Sequence, residues 1–226
     1  MKSYFINENI EITDEKLSLF DTYYNLLITY NQKFNITAIT DKKEVYIKHF
    51  IDSLKFASTL TTGKLIDVGS GGGFPALPIK IVNENLDVTL LEATKKKCDF
   101  LDEVINKLGL KGVKVINSRA EDIAFDSNFR ESFDYCTARA VARLNVLTEY
   151  CLPFVKKGGL FVAYKGDADE EINEACNAIN TLGGKIKDIK KYELDGAKRT
   201  LVYIEKVKNT DKKYPRTNGK IRKSPL

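Results

Sequence analysis

"DVGSGGGFP", residues Asp67–Pro75, holds four of the chain's 14 glycines within five positions. Glycines this dense let a backbone approach a ligand closely, so the kind of ligand decides the fold. The residues just before, "KLIDV" (64–68), form a short apolar run ending in glycine, as buried parallel strands do. A helix follows from about Phe74 to Asn83, with Pro75 in its first turn, where no amide donor is needed. Strand, glycine turn and helix together open a nucleotide-type unit. A triphosphate loop needs Gly-Lys-Ser/Thr after the glycines, and none follows. The dinucleotide pattern G-x-G-x-x-G needs a third glycine at position 74, for close helix–strand packing beside a pyrophosphate. Phe74 stands there, and the spacing is instead G-x-G-x-G across Gly69, Gly71 and Gly73.

Outward from this unit the chain alternates. Upstream, Leu17, Phe20, Tyr24, Leu27 and Ile28 recur on one helical face from Asp14, a predicted N-cap, to about Asn31. A loop (31–42) leads to a second helix, capped by Asp41 and expected to run to Leu60. Downstream, "DVTLLEA", "GVKVINS", "SFDYCTARA" and "GLFVAYKG" read as strands separated by helices. "KIKDIKKYELD" and "KRTLVYIEKV" close the pattern as an antiparallel hairpin. This predicts an α/β, Rossmann-like fold: a mostly parallel seven-stranded sheet with helices on both faces and an N-terminal helical extension. The expected division is a helical extension over 1–62, a ligand-binding domain over 63–208 and a basic C-terminal tail over 209–226, all in one overall domain.

Composition narrows the setting. With 226 residues, 43% of them hydrophobic, the chain can bury roughly 70–75% of its unfolded surface. No apolar run approaches the roughly 18 residues that span a bilayer, and "MKSYFINENI" lacks the blocks of a signal peptide. Cys98, Cys136, Cys151 and Cys176 are scattered, which argues for a reducing cytoplasm and against disulfides or a bound metal. The net charge of +5 is uneven: Lys206–Leu226 carries +7 and the rest −2. Such a tail suits nucleic-acid phosphates, or serves only as a solvated surface.

Ligands of these sheets sit beyond the carboxyl ends of the strands, so the candidates follow each strand. Glu92, 25 residues beyond Asp67, is placed to accept from ribose hydroxyls, with Ala93 and Thr94 in the same turn; capping the next helix is its rival role. Backbone groups at Ala120 and Glu121 would face an adenine edge, unless the loop is only salt-bridged surface. Arg139 ends the fourth strand and Arg143 stands on the helix beyond it. Guanidinium suits a carboxylate or phosphate, and Arg139 is assigned to the pocket while Arg143 faces RNA or solvent. Cys136 lies within a strand and reads as a packed thiol. Neither an Asn/Asp-Pro-Pro-aromatic motif nor a Pro-Cys nucleophile is present. An acceptor with a free ring-nitrogen lone pair needs neither and depends on orientation.

The G-x-G-x-G spacing resembles the first motif of S-adenosylmethionine (AdoMet) methyltransferases, whose ligand carries no phosphate. "NQKFNITAIT", "KHFIDSL", "LIDVGSGGGFPALPIKI", "SRAEDI", "TARAVARL", "CLPFVKKGGLFVAYKG" and "YPRTNGKIRKSPL" occur in order over nearly the whole chain. Together they resemble the bacterial 16S ribosomal RNA methyltransferase G family, also called glucose-inhibited division protein B. The resemblance implies AdoMet-dependent methylation of guanine N7 in 16S RNA of the small ribosomal subunit. It places the cofactor on Gly69, Phe74, Glu92–Thr94, Ala120, Glu121 and Arg139, and Gly71 and Gly73 of the same loop are expected among its contacts. In-line transfer by positioning needs no catalytic acid or base. His49, the only histidine, is then expected to hold the N-terminal helices on the pocket with Asp52 and Ser53. Lys165 and Arg199, with Lys212, Lys213, Arg216, Lys220, Arg222 and Lys223 of the tail, are candidates for RNA phosphate. A monomer is expected. The rivals are an NAD-dependent oxidoreductase, opposed by Phe74, and a non-catalytic RNA-binding assembly protein, opposed by the glycine loop and Glu92.

Overall fold

The computed structural model describes residues 1–226, the side chain of Ser58 excepted. Helices α1 (Lys2–Asn7) and α2 (Asp14–Asn31) lead the chain. The cap of α2 is Thr13 rather than Asp14: its Oγ1 accepts the Lys16 amide at 3.2 Å. Asp41 caps α3 (Lys42–Val45) as expected, accepting the Glu44 amide at 2.9 Å. The helix predicted to run to Leu60 does not. It widens into a π-helical stretch (Tyr46–Ile51), continues as α4 (Asp52–Leu54), and stops before a short 3₁₀ turn (Ala57–Thr59). The wide turn carries the fully buried rings of Tyr46 and Phe50, which pack on Phe5 and Phe20.

Alternation then begins: β1 (Gly63–Val68), α5 (Ala76–Val82), β2 (Leu86–Glu92), α6 (Lys95–Leu108) and β3 (Val113–Asn117). Next come α7 (Ala120–Ile123), β4 (Phe133–Arg139), α8 (Leu144–Cys151), β5 (Val155–Lys165) and α9 (Asp169–Thr181). The hairpin β6 (Gly184–Leu194) and β7 (Ala197–Lys206) precedes a last helix, α10 (Asn218–Lys223). The strand order is β3-β2-β1-β4-β5-β7-β6. β1 pairs in parallel with β2 on one side and β4 on the other, and only β7 runs against its neighbours. The chain therefore reverses its direction of growth between β1 and β4. The crevice beyond their carboxyl ends is where such sheets take ligands.

Each face of the sheet has its own core. One gathers Tyr23, Phe50, Phe74, Leu77, Phe100 and Val104, so the N-terminal helices share a layer with α5 and α6. The other gathers Leu147, Phe154, Ile179, Tyr214 and Ile221, so the C-terminal segment packs with α8 and α9. The sequence sets that segment apart as a tail; the structure folds it onto the body. Arg130 donates to the carbonyls of Tyr214 and Thr210, both at 2.9 Å. Arg216 grips Glu149 through Nε and Nη2 at 2.9 and 2.6 Å, and the Glu149 side chain is only 1% exposed. Removing the cation strands a buried carboxylate, which costs about 3 kcal/mol or more. Arg216→Ala is expected to lose about that much stability in denaturant unfolding, and Arg216→Ala/Glu149→Leu to regain most of it.

Candidate functional site

The glycine loop leaves β1 with Gly69, Gly71 and Gly73 at φ 72°, 55° and 88°, a region that disfavours side chains. Their surroundings differ. A Cβ on Gly69 would lie 2.7 Å from Val141 Cγ2, and one on Gly73 would lie 2.5 Å from the Tyr23 hydroxyl and 2.6 Å from Leu77 Cδ1. A Cβ on Gly71 would meet nothing nearer than the Gly69 carbonyl at 3.8 Å. Gly71 thus faces the crevice, whereas Gly73, expected among the cofactor contacts, backs onto α2 and α5 and serves packing.

Two carboxylates underlie this loop. The Gly71 amide donates to Glu92 Oε2 at 2.9 Å and the Thr94 amide to Glu92 Oε1 at 2.8 Å. An amide that a phosphate would need is already committed to an anion. Asp67 is fully buried; its Oδ1 accepts from Thr137 Oγ1 at 2.7 Å, and its Oδ2 has no partner. Burial pushes the Asp67 carboxyl up to about 7, against the opposing pull of the Thr137 hydrogen bond. Asp67 is the acid two residues before the first glycine and lies inside β1, so a rule confined to positions after each strand passes it over.

Phe74 joins the loop to the N-terminal layer. Its ring stacks on His49 with centroids 4.5 Å apart and on Tyr23 at 5.5 Å, and the Arg139 guanidinium carbon lies 5.0 Å from its centroid. The Tyr23 hydroxyl donates to the Gly72 carbonyl. Arg139, ending β4, donates to Asp52 Oδ2 at 3.1 Å and to the Lys48 carbonyl at 3.2 Å, and its Nη2 lies 3.1 Å from His49 Nδ1. His49 Nε2 lies 2.8 Å from Thr37 Oγ1. Asp52 also accepts from the Tyr192 hydroxyl at 2.8 Å, and the Ser53 carbonyl accepts from Tyr164 at 2.7 Å. Arg139 as donor assigns the Nδ1 lone pair, which places the imidazole proton on Nε2. Burial, with the charge of Arg139, pushes His49 down to about 3, so the ring is neutral and both nitrogens are engaged. Arg139 ties His49 to Asp52, and Ser53 Oγ donates to the His49 carbonyl at 2.5 Å.

Two cavities open on this frame. The larger, about 500 Å³, is lined by His49, Gly71, Phe74, Glu92 and Arg139, with Lys165 and Arg199. The smaller, about 190 Å³, is lined by Leu91, Ala93, Ala120, Glu121 and Val141. Gly69 borders both. Thr94 borders neither; its amide holds Glu92.

The predicted phosphate contacts divide. Arg143 pairs with Glu174 at 2.7 Å, and Lys165 pairs with Glu171 at 2.6 Å while donating to the Ala142 carbonyl. Arg199 lies 3.6 Å from Asp52, and Arg216 is the anchor on Glu149. Lys212, Lys213, Lys220, Arg222 and Lys223 are exposed. Cys136 is fully buried, with its thiol pushed well up by burial. Among the described residues no three His, Cys, Asp or Glu side chains converge on a metal position.

The strand order and the ligand crevice define a Rossmann-like methyltransferase fold. Solved structures share it at low sequence identity. An M. jannaschii TYW2 structure with AdoMet superposes with TM-score 0.57 at 15% identity, over 70% of this chain and 76% of that one. The 16S rRNA (adenine(1408)-N(1))-methyltransferase of Catenulisporales acidiphilia gives 0.53 at 14%, over 71% and 92%. The [4+2]-cyclase SpnF gives 0.54 at 14%, over 69% and 78%, so the fold alone does not fix the reaction. Sequence does more. Residues 16–202 match the family model described as rRNA small subunit methyltransferase G. Relatives named Ribosomal RNA small subunit methyltransferase G include one from Lactobacillus johnsonii, 49% identical over 96% of this chain and 94% of its own. Another, from Clostridium perfringens, is 47% identical over 100% and 97%. The chain belongs to the rRNA small subunit methyltransferase G family.

The two shifted groups give opposite pH signatures. The raised Asp67 carboxyl stabilises the fold at low pH and loses that contribution as pH climbs from its ordinary 3.8 through about 7. The lowered His49 imidazole stabilises above its ordinary 6.5 and loses that contribution as pH falls towards about 3. Melting curves of Asp67→Asn are therefore expected to show a larger gain over the unaltered chain at about pH 8 than at about pH 5. The deficit of His49→Gln should shrink over the same descent.

Proposed function

We propose that the chain transfers the methyl group of AdoMet to N7 of a guanine in 16S ribosomal RNA, acting as a cytoplasmic monomer on the small ribosomal subunit. The observation that carries this reading is the anionic support beneath the glycine loop. Glu92 lines the larger cavity and occupies the Gly71 amide. A pyrophosphate would meet the Glu92 carboxylate there, which opposes the NAD-dependent alternative. A cationic nucleoside without phosphate fits. The non-catalytic alternative leaves the two adjoining cavities without an occupant.

AdoMet, when bound, supplies a methyl group on a positively charged sulfur, open to displacement by a lone pair. The residues of this chain hold and orient. Glu92 retains lone pairs for a ribose diol. The cavity beside Leu91, Ala93, Ala120 and Val141 suits an apolar base. Arg139, fixed by Asp52 and His49, shapes the larger cavity. Guanine N7 bears no proton, so no base is required, and a neutral, doubly hydrogen-bonded His49 provides none. Orientation supplies the rate. Each of these residues comes from a single chain. Ribosomal RNA as substrate supports the cytoplasmic location; among the described residues no helix is long and apolar enough to cross a membrane.

The direct test is transfer of a labelled methyl group to small-subunit RNA from cells lacking this protein, with the product nucleoside identified by mass. 7-Methylguanosine is expected; a different nucleoside, or no transfer to RNA or particle, overturns the reading. RNA affinity should fall with salt. Replacing Lys212, Lys220 and Lys223 by Ala should lower the slope of log affinity against log salt by about one for each lost phosphate contact. An unchanged slope assigns these lysines to plain surface.

A further inference from the structure

We propose that α10 is part of the cofactor site, with Asn218 and Arg222 binding the edge of the adenine base. This rests on the AdoMet reading above and extends it to a segment that charge alone assigns to RNA.

The smaller cavity is not closed by strand ends only. Tyr150 of α8 lines it, and so do Asn218 and Arg222 of α10. The segment bearing these two residues is held firmly. α8 grips it at two consecutive positions: Glu149 takes the Arg216 guanidinium and backbone amide, and the Tyr150 hydroxyl donates to Asn218 Oδ1 at 2.6 Å. Ile221, between the two lining residues, is fully buried. Lys206, also fully buried, ties the chain before it by donating to Thr210 Oγ1 at 2.6 Å and to the Leu152 carbonyl at 2.7 Å.

The chemistry of the two side chains matches a purine. With its oxygen engaged by Tyr150, the Asn218 amide is fixed in orientation and its N–H donors have no acceptor among the described residues. Arg222 makes no ion pair among the described residues. It lies close enough to Tyr150 for its charge to oppose the burial that raises that phenol. Free N–H donors suit the ring nitrogens of a base, and a guanidinium also stacks on an aromatic face. A docking contact serving the segment alone would need neither the free amide nor an unpaired cation at a cavity mouth.

The test is calorimetric titration of the full chain with S-adenosylhomocysteine and with 5′-methylthioadenosine, which lacks the amino-acid portion. Asn218→Ala and Arg222→Ala are each expected to weaken both ligands by about fivefold, the loss of one hydrogen bond; Arg222→Ala changes the melting temperature without ligand little, whereas Asn218→Ala lowers it because Tyr150 loses its acceptor. Lys220→Ala, a neighbouring cation outside the cavity, should bind as the unaltered chain does. Because Arg222 is exposed, its variant keeps the test valid if Asn218→Ala folds poorly. The proposal is overturned if Arg222→Ala binds both ligands within about twofold of the unaltered chain, or if the loss appears for S-adenosylhomocysteine alone. If the unaltered chain binds neither ligand, the AdoMet reading itself falls, and this extension with it.

Discussion

The packing of one ring, Phe74, holds this molecule's working parts together. It sits where a dinucleotide-binding loop would place glycine, and it uses its bulk. His49 and Tyr23 stack on it and the Arg139 cation lies against it. These contacts come from α2, from the π-helical turn and from the end of β4. One side chain therefore fixes the glycine loop relative to the N-terminal layer and the switch point of the sheet. Gly73 completes the junction by leaving room for Tyr23 and Leu77. The helical extension is in this sense a structural part of the crevice.

Electrostatics complements the packing. The cations around the larger cavity are mostly committed: Arg139 and Arg199 to Asp52, and Lys165 to Glu171. The acidic side is Glu92, which lines the same cavity and holds the loop through the Gly71 amide. A cavity with paired cations and the Glu92 carboxylate on its wall favours a positively charged ligand over an anionic one.

Much of this was legible in the sequence because its signals are local. Alternating apolar runs mark the strands, and the switch-point rule then brings Gly69, Glu92, Ala120, Glu121 and Arg139 around the crevice. The rest depends on distant pairing. Thr137 reaches Asp67 across neighbouring strands, so nothing near Asp67 announces a buried, half-satisfied acid. Arg216 reads as a tail cation because Glu149, its buried partner, lies far back on α8. The role of Gly73 is set by Tyr23 of α2, and glycine spacing cannot separate a packing glycine from one that faces a ligand. The break at Tyr46–Ile51 has no proline or glycine to signal it.

If Phe74 is the staple, its loss should loosen two distant stretches together. Hydrogen exchange of Phe74→Ala against the unaltered chain reads this directly, since local opening reports the contacts that hold each segment. Faster exchange is expected both in the loop from Gly69 to Phe74 and across α2 to α4, with β5 and β7 unchanged. Faster exchange confined to the loop and α5, with the N-terminal helices as protected as before, would contradict the account.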